Sequence, residues 1–392
     1  MENKRAVALF VIVSLLLFSQ EKDFNLMGSG ARALGMGGAF IGLADDATSI
    51  GWNPAGLGQL IKPEVSFSSG FKFEDWSSDY SNYSNSHFSI DFGSFVFPIG
   101  ISNANFVMAV AYRSLLEPYY ESSDTIYSAD TTYIYSRVTS GAYGAISPAI
   151  ALNVGPLYAG GSFDIWMKGP VYKWDYNFSY SGGSLIGTYS EMNKPSAFGL
   201  NLGALIVAGT DLKAGAILRL PVTIKENVEV NDKWSGTGVY TMGDTSYTLK
   251  GDTTKFPMMI GFGISAQLGN NLTVAFDYEF RPYSKMEING VTYPDYYHNC
   301  NQLRFGLEYM LPLGVMVIPL RAGFMTDPKT YEDLTGNQVI GKMFTGGTGL
   351  IIGNFSFDFS LMYGFSKETW ATAYDQGTDT KINAIFSTIW HF

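Results

Sequence analysis

The sequence predicts an all-β chain: a transmembrane antiparallel β-barrel of about fourteen strands with an N-terminal hatch inside the lumen. Three observations predict it. Apolar and polar residues alternate with a period of two through most of the chain, short turns alternate with long polar segments, and the last amphipathic strand ends on an aromatic, Phe392. Composition agrees. Aromatics make up 15% of the 392 residues and charged residues 15%, against about 25% charged in soluble domains. Mean hydropathy is only +0.06, so the apolar residues are interleaved with polar ones. A net charge of −10 excludes nucleic acid as a partner, since phosphate binding needs basic stripes. The single cysteine, Cys300, excludes an intrachain disulfide framework and a cysteine metal cluster.

The N-terminus reads as an export signal. Lys4 and Arg5 precede an apolar stretch from Ala6 to Phe18, followed by Ser19, Gln20 and the charged Glu21-Lys22-Asp23. The stretch is shorter than the roughly 20 apolar residues a membrane helix needs. Residues 1–19 are therefore expected to be a signal peptide, 20–61 a hatch and 62–392 the barrel. Past Phe18 there is no other apolar run of spanning length. A mature chain living in a membrane must then cross it as a closed sheet.

The alternation is plainest in four segments. Leu212, Ala214, Ala216, Leu218, Leu220, Val222 and Ile224 share one face, opposite Lys213, Arg219, Thr223 and Lys225. Phe256, Met258, Ile260, Phe262 and Ile264 form another such face. Leu272 to Phe280 repeats the pattern against Asp277, Glu279 and Arg281, and Leu303 to Leu311 does so against Arg304 and Glu308. One face meets an apolar medium and the other does not. Short turns are expected near Pro98–Asn103, Asn153–Pro156, Ala208–Asp211, Gly269–Asn271, Pro312–Gly314 and Gly353–Asn354. Long loops are expected around Ser77–Ser86, Glu117–Arg137, Gly169–Pro195, Glu226–Lys255, Lys285–Asn299, Asp327–Gly341 and Lys367–Thr380. That rhythm places both barrel termini at the short-turn, periplasmic side of an outer membrane. The strand ending at Phe392 resembles the signal read by the outer-membrane insertion machinery.

The stretch Met27–Leu60 has no period-two pattern and is rich in Gly and Ala. It has too few large apolar groups to fold alone, and its small residues suit close backbone contact inside a lumen. Asp45 and Asp46 suit the start of a short helix. Pro54 after Asn53 suits a first helical position after its cap. The run Ala31-Arg32-Ala33-Leu34-Gly35-Met36-Gly37-Gly38-Ala39-Phe40, with Asp45-Asp46 and Asn53-Pro54-Ala55-Gly56-Leu57, resembles the hatch of the FadL-type outer-membrane transport superfamily, which includes PorV/PorQ-like proteins. The resemblance covers about a tenth of the chain. It implies a fourteen-stranded barrel plugged by this segment, with hydrophobic substrates entering from outside and leaving sideways through a strand irregularity. Gly35, Gly37, Gly38, Asp45, Asp46, Asn53, Pro54 and Ala55 are the expected hatch residues.

Inside the barrel, Arg219, Asp277, Glu279, Arg281, Arg304 and Glu308 share inward phases and are expected to form a polar network. Asp277 and Glu279 on one strand face also fit paired-carboxylate chemistry, but the neighbouring arginines favour structure. Pro148, Pro221 and Pro319 fall inside expected strands and mark candidate interruptions. Gly28-Ser29-Gly30-Ala31-Arg32-Ala33 fits a loose dinucleotide fingerprint without the βα context it requires. His298 and Cys300 fall short of a metal site. No catalytic residue, metal or cofactor is expected. Two functions compete on these residues. One is passive uptake of hydrophobic small molecules such as long-chain fatty acids or hydrocarbons. The alternative is a PorV/PorQ-like accessory or shuttle role toward a secreted protein. Loop aromatics Tyr119, Tyr120, Trp174, Tyr176, Phe178, Tyr180 and Trp234 suit either.

Overall fold

The computed structural model describes residues 28–79, 82–101, 104–128, 131–209, 211–237, 244–370 and 375–392. The expected signal peptide and Met27 lie outside the described residues. The strands follow in chain order as β1 (Glu64–Ser77), β2 (Asn82–Ile101), β3 (Ala104–Leu116), β4 (Tyr120–Ser128), β5 (Thr131–Ser140), β6 (Tyr143–Val154) and β7 (Leu157–Lys168). Next come β8 (Val171–Tyr180), β9 (Gly183–Ala208), β10 (Leu212–Arg219), β11 (Val222–Thr237), β12 (Thr245–Phe256), β13 (Met259–Leu268) and β14 (Leu272–Arg281). The last are β15 (Glu287–Ile288), β16 (Val291–Thr292), β17 (Cys300–Leu313), β18 (Met316–Glu332), β19 (Gln338–Ile352), β20 (Phe355–Trp370) and β21 (Asp375–His391).

Fourteen of these close on themselves, each antiparallel to the next, in the order β1, β2, β3, β6, β7, β9, β10, β13, β14, β17, β18, β19, β20, β21. The seam is a long pairing of first and last strands, from Glu64↔His391 to Ser77↔Thr378. Closure leaves this sheet no free edge. Five of the short turns carry a left-handed glycine, Gly155, Gly209, Gly269, Gly314 and Gly353, the conformation a tight hairpin demands. Both barrel ends, Glu64 and His391, lie at this turn end.

Alternation sorts the two faces. Phe67, Phe262, Phe344 and Phe357 stand exposed on the outside, while Ser66, Thr345 and Asp358 are buried within. Aromatic and branched residues therefore cover the outer wall, as contact with lipid requires. Among the described residues no helix is long and apolar enough to cross a membrane.

Several expected loops are strands instead. Glu117–Arg137, Gly169–Pro195 and Glu226–Lys255 contribute to a second sheet above the barrel, ordered β4, β5, β8, β9, β11, β12, β15, β16. Asp327–Gly341 and Lys367–Thr380 include the upper ends of barrel strands β18 to β21. These stretches are polar, so they read as loops, but their Tyr, Thr and Val content supports pleated structure. Among the described residues of these segments, only Lys285–Asn299 is mostly irregular. The upper sheet is not separate from the barrel. β9 belongs to both, and its odd-numbered residues from Leu185 to Leu205 face inward along nearly the whole strand.

A second correction concerns facing. Residues 212–225 do not form one strand with one apolar face. Leu220 and Pro221 interrupt it, and beyond them Val222 and Ile224 turn inward while Thr223 and Lys225 turn outward. The neighbouring strand does the same. Phe256 is buried inward, whereas Met258 and Phe262 are exposed. Proline on each strand breaks the ladder there, and a one-residue slip exchanges the faces.

Candidate functional site: the filled lumen

Residues 28–61 pack against the inner wall. Two short helices, α1 (Ala31–Gly35) and α2 (Ser49–Trp52), and a 3-10 turn (Pro54–Gln59) carry them. The Asn53 side chain accepts from the Ala55 amide at 3.2 Å, and Pro54 opens the turn. A helix does not begin at Asp45 or Asp46. Asp46 instead takes the Thr48 amide at 2.9 Å and closes a turn before α2.

The contact with the wall is backbone on backbone, and glycines on both sides allow it. A Cβ on Gly37 would lie 2.6 Å from the Phe324 nitrogen and 2.7 Å from the Phe305 oxygen. On the wall, a Cβ on Gly323 would lie 2.1 Å from the Gly37 nitrogen, on Gly306 2.4 Å from the Met36 oxygen, and on Gly215 2.3 Å from the Ile41 oxygen. Gly160 stands in the same relation to the Pro54 carbonyl, and Gly203 gives room to the Asn53 side chain. These wall glycines are cross-strand partners, Gly160↔Gly203, Gly215↔Gly263 and Gly306↔Gly323. Sequence reading missed this belt. Its signal was present as glycines at inward phases of successive strands. Gly38 differs, its Cβ meeting the side chains of Trp52 and Arg304 at 3.1 and 3.3 Å. Gly35 faces Gly347, and its carbonyl accepts from the Thr345 hydroxyl at 2.9 Å.

Polar clasps fix the segment further. Arg32 makes a two-pronged bond to Glu308 at 2.9 and 2.8 Å and reaches Asp45 at 2.6 Å. Glu308 also holds Arg321, which holds Asp358, each at 2.6 Å. Burial raises the Asp45 carboxyl, but Arg32 and Lys213 outweigh it and hold the group at about 2. Asp277 accepts the Phe40 and Ile41 amides, both at 2.7 Å. Asn53 reaches the Ile41 carbonyl at 2.9 Å and the Ala204 carbonyl of β9 at 3.0 Å.

The six expected network residues come together in two groups. Glu279 receives Arg281 at 3.0 Å, Arg304 at 2.8 Å and Arg219 at 3.4 Å. Asp277 and Glu308 instead bind the inserted segment. The two carboxylates of β14 are thus committed to amides and guanidinium groups, an arrangement that holds structure in place. Arg113, Asp164, Ser147 and Asn201 form a further buried set that the sequence did not single out. Cys300 opens β17, buried, with its thiol 3.8 Å from the His298 carbonyl.

Above the inserted segment the lumen turns apolar. Tyr143, Trp166, Ile224, Phe256, Met259, Tyr283 and Met286 form one buried cluster. Beneath it lies a small open recess lined by Trp52, Trp166, Phe256 and Met259 together with the charged Arg113, Asp164, Arg219 and Arg304. Higher still, Tyr176, Phe178, Leu185 and Trp234 cluster on the inward face of the upper sheet, with Trp174 beside them. The expected loop aromatics Trp174, Tyr176, Phe178 and Trp234 therefore lie on strands and share one face. Tyr120 joins them through Arg137, whose guanidinium lies 5.5 Å from both the Tyr120 and the Trp174 rings.

The three proline positions differ. Pro148 lies in β6, paired with Val110 of β3, but the β6–β7 ladder lapses at Ser147 and Pro148. Pro319 lies in β18, and the ladder to β19 lapses at Ile318 and Pro319. Pro221 lies between strands, where β10 has ended and β11 has yet to begin.

The chain is thus a closed fourteen-stranded antiparallel barrel whose lumen is occupied by an N-terminal segment. No family model and no curated protein sequence matches the chain. Solved structures match over nearly its whole length. The P. putida toluene transporter TodX matches with a TM-score of 0.61 at 15% identity, covering 94% of this chain and 99% of that one. The Ralstonia pickettii toluene transporter TbuX gives 0.57 at 18%, covering 94% and 100%. The CymD monoaromatic hydrocarbon channel gives 0.58 at 17%, covering 94% and 99%. This chain shares their FadL-type fold.

Proposed function

We propose that the chain is an outer-membrane channel for passive uptake of hydrophobic small molecules, long-chain fatty acids or hydrocarbons, with residues 28–61 as its hatch and a sideways exit. The observation that carries this reading is the apolar lining. Two apolar clusters lie on the inward face of β9 and its neighbours, Tyr176, Phe178 and Trp234 above and Tyr143, Trp166 and Phe256 below, with Glu191, Asn193 and Glu226 between them. They end on the inserted segment, which meets the wall through ion pairs, backbone contacts and apolar clusters such as Ile50 and Leu57 with Phe92 and Val107. An apolar solute gains by burial against these clusters, about 25 cal/mol per Å². The hydrocarbon channels and transporters that share the fold support the same reading. The reading is of a transporter, not an enzyme. In it both termini face the periplasm, and the strand ending at Phe392 engages the insertion machinery.

The test is uptake of labelled toluene and of a labelled long-chain fatty acid by cells lacking other such channels. Expression of this chain should accelerate at least one. Equal rates with and without it would defeat the reading. One observation favours the accessory role instead. Along Thr245–Lys250, β12 pairs with β11 alone among the described residues, leaving a strand edge that an extended partner segment can join. Stoichiometric co-purification of a secreted protein, without uptake, would select that alternative.

A further inference from the structure

We infer that the outward face of β9, β11 and β12, just above the lipid-facing band, is a docking surface for a phosphorylated glycolipid of the outer leaflet, whose phosphates meet lysines there. The inference rests on the outer-membrane placement in the uptake reading and not on uptake itself. Four lysines converge on these three strands. Even-numbered residues in this part of β9 face outward, which exposes Lys194 and Ser196. Lys194 pairs with Asn227 of β11, and Asn227 with Lys250 of β12. In the next row toward the barrel, Lys225 pairs with Ser196 on one side and Thr253 on the other, and beyond it Thr223 pairs with Lys255. Residues paired across strands share a face, and a bulge in β12 between Lys250 and Thr253 keeps both outside. Lys225 thus stands diagonally across from both Lys194 and Lys255, at about 7–8 Å between backbones.

Two of the four lysines are already paired, Lys194 with Glu229 and Lys255 with Glu287 at 2.7 Å. Asp252, a further carboxylate nearby, accepts the Asn289 amide at 2.8 Å. Lys225 and Lys250 make no ion pair among the described residues. The whole chain carries a net charge of −10, so this free positive charge is a local arrangement. Height decides the partner. Toward the barrel the next outward residues are Phe198 of β9 and Met258 beyond β12, 62% and 50% exposed. Acyl chains lying against them place their phosphates a residue pair higher, about 7 Å along the strand, at the lysines. Lysine suits that boundary, because its stem lies along apolar surface while its ammonium reaches the anionic layer. A dissolved anion matches the lysines alone, whereas a glycolipid matches the lysines and the apolar residues beneath them.

The test is retention of bis-phosphorylated lipid A by the purified full chain in detergent, measured by native mass spectrometry. K225Q/K250Q should weaken retention about thirtyfold, the contribution of two lysines at an anionic surface. K173Q/K233Q removes the same charge from the same face further from the lipid band, where Lys173 and Lys233 pair with Ser190 and Thr188 of β9, and should leave retention unchanged. Dephosphorylated lipid A should bind the parent no better than lipid A binds K225Q/K250Q. Heat-modifiable mobility reports folding. If the double variant fails to fold, amine labelling of the parent decides, and lipid A should slow it at Lys225 and Lys250. Undiminished retention by folded K225Q/K250Q, an equal loss in K173Q/K233Q, or labelling slowed as much by inorganic phosphate would overturn the surface. Retained lipid A without toluene uptake would support the surface and defeat the uptake reading alone.

Discussion

Gly37→Ala should unseat the N-terminal segment while leaving the barrel intact, and Gly38→Ala should do so far less. Both glycines have positive φ, +63° and +69°, so a side chain costs each about 1–2 kcal/mol in backbone strain. Their surroundings separate them. The new Cβ at position 37 would lie 2.6, 2.7 and 2.8 Å from backbone atoms of Phe324 and Phe305. Those atoms belong to paired strands β17 and β18 and cannot retreat without breaking their ladder. Overpacking of this kind costs about 1–3 kcal/mol more. At position 38 the neighbours are side chains at 3.1 and 3.3 Å, which yield. The expected penalties are therefore about 2–5 kcal/mol against about 1–2 kcal/mol. Single-channel recording in planar bilayers, with limited proteolysis of the segment, reads the difference. G37A should show frequent large openings and early cleavage, with G38A close to wild type. Indistinguishable traces for G37A and wild type would refute the claim that backbone contact seats the segment.

Three further outcomes follow from the same structure. Arg32→Ala removes the cation shared by Glu308, Asp45 and Asp46; breaking such a buried set costs about 3–5 kcal/mol, so R32A should raise baseline conductance without lowering the amount of inserted barrel. Replacing Phe392 with Asp, or deleting it, should cripple insertion, and normal membrane levels of either variant would show that the terminus is no insertion signal. Tags at Gly183 or Gly336 should be accessible on intact cells and tags at Gly269 or Gly314 should not, with labelling of the second pair overturning the orientation.

Much of this architecture was legible in the sequence because a barrel wall obeys a strict period. The turn glycines Gly155, Gly209 and Gly269, and the facing of Asp277, Glu279 and Arg304, follow from alternation alone. The upper sheet was not legible. Strands such as Thr245–Phe256 are exposed on both faces over much of their length, so they lack the contrast that marks a wall strand. The exchange of faces at Pro221 and Pro257 was hidden for a related reason. Leu, Val, Ile, Phe and Met fill both the lipid-facing and the lumen-facing positions there, so period two continues in hydropathy while the register slips. The glycine belt escaped because glycine carries no hydropathic sign. Only the carbonyls of Met36, Ile41 and Pro54 pressed against it reveal its purpose.

Deletion of residues 28–58 tests the central claim most directly, read by bilayer conductance and toluene uptake on the same preparation. The strand ladder is independent of the segment, so the barrel should still insert. The intact protein should conduct little and take up toluene, whereas the deletion should carry large steady currents and lose selectivity for apolar solutes. A deletion that inserts normally yet conducts no better than the parent would contradict the account.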